Sequence, residues 1–109
     1  MEATDEQIAL NESAFRDINE AIEAGRRERE GFVPFVCECG RLGCTAVIEL
    51  TLREYEEARA DSRLFLVLPG HENELEEHRL EDPRYTVVAK PEGPLGDIAD
   101  ETDPRRNPG

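Results

Sequence analysis

The chain has no tryptophan, and aromatic residues make up only 6% of its 109 residues. With hydrophobic residues at 38%, the core it can build is modest. A chain of this length forms one domain, and so small a core often gains an extra tie from a metal or a disulfide. Lysine is nearly absent, with Lys90 alone, and the formal charge is -13. A surface this acidic repels phosphates and anionic headgroups. The densest basic run, Arg26, Arg27 and Arg29, is diluted by Glu28 and Glu30. Neither nucleic acid nor a membrane surface is an expected partner. No apolar run approaches the roughly 20 residues a spanning helix needs, and the longest, residues 64–69, is strand-sized. Residues 1–7 are acidic and lack the apolar stretch of an export signal. The expected setting is therefore the cytoplasm, where thiols stay reduced. The chain's three cysteines, an odd number, cannot all pair within it.

Catalytic motifs are also missing. There is no Gly-x-Gly-x-x-Gly, no phosphate-binding Gly-Lys-Ser/Thr loop, no His-Glu-x-x-His and no Gly-x-Ser-x-Gly. Neither serine, Ser13 nor Ser62, has an evident histidine partner. Paired acids such as Glu56–Glu57 and Glu76–Glu77 read as solvated faces. An enzyme is not the expected class.

The pattern that is present predicts an α+β fold: an antiparallel sheet of three or four strands, an N-terminal helix and a second helix. Residues 4–29 read as a helix, with Thr4 as N-cap and Gln7 three residues on. Ile8, Phe15, Ile18 and Ile22 share one stripe at helical spacing. That stripe packs on its own domain or meets a protein partner or a second copy. Residues 32–37 and 45–50 read as two strands, with Ala46, Ile48 and Leu50 on one face of the second. Pro34 suits an edge position. Thr51-Leu52-Arg53-Glu54 is a capping box opening a second helix that runs to about residue 61. Residues 63–68 and 84–90 read as further strands, and the polar stretch 72–80 as a short helix. Residues 1–90 would form the domain, and 91–109, rich in Gly, Pro and acids, a disordered tail.

The informative segment is Cys37-Glu38-Cys39-Gly40-Arg41-Leu42-Gly43-Cys44. In an extended chain, residues two apart point the same way, so Cys37 and Cys39 can aim at one point. Gly40 and Gly43 permit the turn that returns Cys44 to them. Zinc takes four ligands tetrahedrally. The chain offers two histidines for the fourth place: His71, fixed by a Pro-Gly turn after a strand, and His78, in a polar stretch. The expected ligand set is Cys37, Cys39, Cys44 and His71; His78, the carboxylates of Glu38 and Glu72, or water remain as alternatives. Buried free thiols, or a disulfide with one spare thiol, would be the plain readings. Three cysteines in eight residues with flanking glycines are poorly explained by packing alone. An iron–sulfur centre is less well matched. The CDGSH-type proteins also begin with Cys-x-Cys, but their histidine follows the third cysteine closely, where this chain has Thr45, Ala46, Val47 and Ile48. Arg41 would lie over the thiolates or stand solvated in the turn.

The segments Phe35-Val36-Cys37-Glu38-Cys39-Gly40, Leu50-Thr51-Leu52-Arg53-Glu54-Tyr55-Glu56 and Pro69-Gly70-His71-Glu72, with the strand at 85–90 and Asp103-Pro104-Arg105, resemble a group of small actinobacterial hypothetical proteins. The resemblance spans roughly residues 32–106. It implies the pairing of Cys37, Cys39 and Cys44 with His71 and carries no activity. The expected function is a protein-interaction or regulatory module with a structural Cys3His zinc site. A thiol-based redox or metal sensor is the alternative, and a metalloenzyme a more distant one.

Overall fold

A computed structural model describes residues 4–26, 31–41, 43–72 and 76–105. In chain order the elements are α1 (Asp5–Arg26), β1 (Val33–Val36), β2 (Val47–Leu50), α2 (Leu52–Ala58), β3 (Leu64–Val67), β4 (Glu77–Glu81), β5 (Thr86–Ala89) and α3 (Pro94–Glu101). The fold is α+β and its strand pairs are antiparallel, as the sequence implies. The expected single sheet is instead two: β1 pairs with β2, and a second sheet runs in the order β3-β5-β4. Among the described residues no helix is long and apolar enough to cross a membrane.

Local signals explain most elements. Gln7 N donates to Thr4 Oγ1 at 3.1 Å at the start of α1. At α2, Thr51 Oγ1 accepts from Glu54 N and Glu54 Oε1 accepts from Thr51 N, completing the capping box. The helix stops earlier than expected, with Arg59 as its C-cap. In the β1–β2 hairpin Phe35 pairs with Ile48 and Val33 with Leu50, all buried, while Pro34, Val47 and Glu49 face out. Phe35 stacks on Tyr55 with centroids 4.2 Å apart, which binds the hairpin to α2. Phe65, Leu66, Val67, Val87 and Val88 continue the same core. Residues 27–29, the expected end of the first helix, lie outside the described residues.

Three expectations are corrected. The stretch 72–80 is no helix where described: Glu77–Glu81 form the edge strand β4, paired with β5 and bulged between His78 and Leu80. All five β4 residues are exposed, so burial never imposed a two-residue alternation that could be read. The bulge and the charges blunt this edge against pairing with another chain.

The second correction concerns the region after residue 90. Pro94–Glu101 form α3, with Pro at its start and Gly96 and Ala99 buried. The acids that suggested disorder are ion-pair partners: Arg63 bonds Asp100 and Asp97, and Arg59 bonds Asp103 at 2.7 Å. Arg105 reaches Glu20 and Glu56.

The third concerns α1. It packs on the rest of the protein through a polar face. Ala9, Glu12, Ser13, Arg16 and Asn19 are buried, while Ile8, Phe15 and Ile22 are half-buried and Ile18 is 46% exposed. Each buried polar group meets a partner on another element. Lys90 Nζ lies 2.6 Å from Glu12 and 2.8 Å from Glu76. Arg16, 0% exposed, donates to the carbonyls of Ser62 and Ala99 and lies 4.7 Å over the Phe65 ring. Partnering is what makes buried charge tolerable, and polar side chains matched to fixed acceptors can replace an apolar stripe.

Candidate metal centre

β1 delivers Cys37 one residue past its last strand position. Cys37 N donates to Ala46 O at 3.0 Å, extending the hairpin ladder beyond the last paired strand residues. Glu38 then carries the chain across to β3. Its N–H donates to Leu66 O at 2.7 Å, and its Oε1 accepts from Leu66 N at 2.9 Å. The side-chain oxygen thus stands where a neighbouring strand would place a carbonyl. Gly40 turns the chain at φ +73°, and Cys44 N bonds Arg41 O at 3.2 Å to close the turn. On the far side, β3 ends in Leu68-Pro69-Gly70. His71 N bonds Leu68 O at 2.9 Å, and Gly70 adopts φ +91°. Arg41 does not stand free: its side chain donates to Glu72 O at 3.3 Å, joining the two loops.

These connections bring Cys37, Cys39, Cys44 and His71 together, their ligand atoms all within 4.8 Å of one another. His71 Nδ1 lies 3.7 Å from Cys37 Sγ and 3.6 Å from Cys44 Sγ. A tetrahedral ion with sulfur at about 2.3 Å and imidazole nitrogen at about 2.0–2.1 Å requires S···N separations of about 3.6 Å. The four side chains form a group that can hold a metal ion. Cys37 and Cys39 are buried, and Cys44 and His71 are half-buried.

The alternatives considered for the fourth place are engaged elsewhere. His78 bonds Glu81 through Nδ1 at 2.7 Å; that bond, with Glu72 nearby, raises its pKa. Glu72 Oε2 accepts from Gly70 N. Glu38 turns its carboxylate away from the sulfurs, to Leu66 N and to Asn19 Nδ2 at 2.7 Å. It is 0% exposed, and burial pushes its carboxyl up to about 7 against those two hydrogen bonds and the nearby charges of Arg59 and Arg16.

Backbone and side-chain hydrogen bonds converge on Cys37 and Cys39. Cys37 Sγ accepts from Leu68 N at 3.2 Å. Left to themselves, Cys37 and Cys39 divide one proton unequally. The thiol of Cys37, bonded to Cys39, is pushed up, and Cys39 is held at about 4 by that bond, with Arg41 N, His71 and Cys44 adding to it. Backbone N–H groups aimed at sulfur orient metal ligands and tune them.

Two contributors escaped the sequence reading. Asn19 accepts from Val36 N at 2.7 Å and donates to Val36 O at 2.8 Å and to Glu38. Its only signal is an asparagine inside a helix, where its propensity is poor. Gly40 is a turn residue that also carries a close approach. A Cβ there would lie 2.6 Å from both Ile8 O and Glu12 Cγ. Comparison of the chain with protein-family models, with curated proteins and with solved structures finds no match.

Proposed function

We propose that Cys37, Cys39, Cys44 and His71 hold one zinc ion in a closed structural site, and that the domain serves as a zinc-stabilised protein-interaction or regulatory module. The observation that carries this reading is the pair of Nδ1···Sγ separations, 3.6 and 3.7 Å, which match a tetrahedral zinc centre. Three thiolates and one imidazole are the donor set zinc favours. With all four places taken by protein, no position remains for substrate or activated water. The ion would link the β1–β2 hairpin, which supplies the sulfurs, to the loop after β3, which supplies the histidine. Zinc bound in this way contributes directly to folding free energy. The surface offered to a partner is the flank of α1 where Ile18 is exposed beside the half-buried Ile8, Phe15 and Ile22.

Elemental analysis of purified protein tests the site. We expect about one zinc per chain in the wild type and in His78→Ala, and a weakened or lost ion in His71→Ala. A wild type with no metal and three free thiols would refute the reading.

A further inference from the structure

We propose that the docking of helix α1 is thermodynamically coupled to occupancy of the Cys3His centre, so that loss of the ion releases α1. This rests on the zinc reading above and adds a regulated element to it.

The segment 36–40 is held from both sides. Toward β3 it makes the Glu38 N and Glu38 Oε1 bonds to Leu66 and receives Leu68 N on the Cys37 sulfur. Toward α1 its contacts are spread over three turns of helix. Asn19 grips Val36 N and O and the Glu38 carboxylate. Asn11 Nδ2 donates to Gly40 O at 3.3 Å. The Cα of Gly40 seats against Ile8 O and the Glu12 side chain with no room for a methyl group. Residues 37 and 39 of this segment are ligands. The backbone conformation that α1 grips is therefore the one that points two sulfurs at the ion.

What else holds α1 is mostly polar: the Lys90 bridge to Glu12, the Arg16 bonds to Ser62 O and Ala99 O, and the Ser13–Thr102 hydroxyl pair at 2.7 Å. Polar groups regain hydrogen bonds from water when such an interface opens, so they resist opening less than buried apolar area does. The core cluster draws none of its fully buried apolar members from α1. Helix α1 thus touches the core cluster chiefly through the half-buried Ile22 and grips the ligand segment through Asn11 and Asn19. Metal loss frees the sulfurs to rotate, removes one of the restraints on residues 36–40 and weakens the central grip on the helix.

Coupling of this kind is reciprocal: if the ion favours the docked helix, the docked helix favours the ion by the same factor. That supplies two measurements on the full chain, both preceded by a zinc determination. In the first, hydrogen exchange is followed with and without a chelator. Amides of residues 9–19 should lose protection when zinc is removed while those of β5 keep theirs. In the second, zinc affinity is measured by competition with a chromophoric chelator. Asn19→Ala and the milder Asn11→Ala, neither of them ligands, should bind zinc more weakly, Asn19→Ala by about tenfold, while Ile18→Ala on the exposed side of the same helix should match the wild type. If zinc is bound but α1 protection does not change on its removal, the coupling is wrong and the site stands. Loss of protection everywhere at once would also overturn it, since the ion would then hold up the whole fold. A wild type without zinc would remove both the site and the coupling.

Discussion

At the scale of single residues, the buried cluster of Glu12, Lys90 and Glu76 sets a measurable behaviour. One ammonium lies between two carboxylates, all three shielded from water, so ionising both would leave one negative charge over. Desolvation, with Glu76 adding repulsion, raises the Glu12 pKa to about 8 despite Lys90. In the unfolded chain this carboxyl ionises near 4.5. Between those values the folded state holds the proton and the unfolded state does not, so this group's contribution to stability falls as pH rises. The slope is at most about 1.4 kcal/mol per pH unit. Glu12→Gln fixes the neutral form. Urea unfolding at pH 5 and pH 8 should show a smaller difference for the variant than for the wild type, and an equal difference would show that Glu12 ionises normally. The cysteine spacing and the Pro-Gly turn before His71 were legible at this same scale, because metal ligation needs particular residue types at particular separations. Asn19 and Glu38 were not, because their roles depend on which helix lies across which strand.

At the scale of elements, legibility followed burial. The capping box of α2 and the alternation of Ala46, Ile48 and Leu50 against Val47 and Glu49 are written in the chain because each element has one buried face. Strand β4 has no buried face and leaves no hydrophobic period, while the short period of α3, Leu95, Ile98 and Ala99, is hidden among prolines, glycines and acids. The apolar stripe on α1 misdirected the reading for the complementary reason: the helix turns charged and amide side chains inward, to partners a sequence does not reveal. Helix α3 nonetheless docks closely. Arg63 lies against Gly96, where a Cβ would sit 2.5 Å from Pro91 O and 2.6 Å from Arg63 Nη1. Gly96→Ala should therefore cost about 1–3 kcal/mol, against the usual gain for glycine to alanine in a helix. Thermal unfolding of the variant would decide it, and an unchanged or raised midpoint would mean that α3 is not seated as described.

At the scale of the whole molecule, one apolar core runs through both small sheets, and much of what fastens the helices around it is arginines clasping acids. Arg59 bonds Glu20 and Asp103, and Arg105 bonds Glu20, Glu23 and Glu56. This explains how a chain with few aromatics and a charge of -13 closes a core. Its acids are partly spent on its own arginines. Glu38 shows what such a construction protects. Its amide and carboxylate together complete the hydrogen bonding of Leu66, on the outer side of β3. That strand, Leu64-Phe65-Leu66-Val67, is the kind of short apolar segment that stacks into fibrils when its edge is free. A single carboxylate so placed is expected to guard against self-assembly. Glu38→Ala should leave the monomer prone to thioflavin-positive aggregation that seeds through this strand, and a Leu66→Lys change added to it should suppress that assembly.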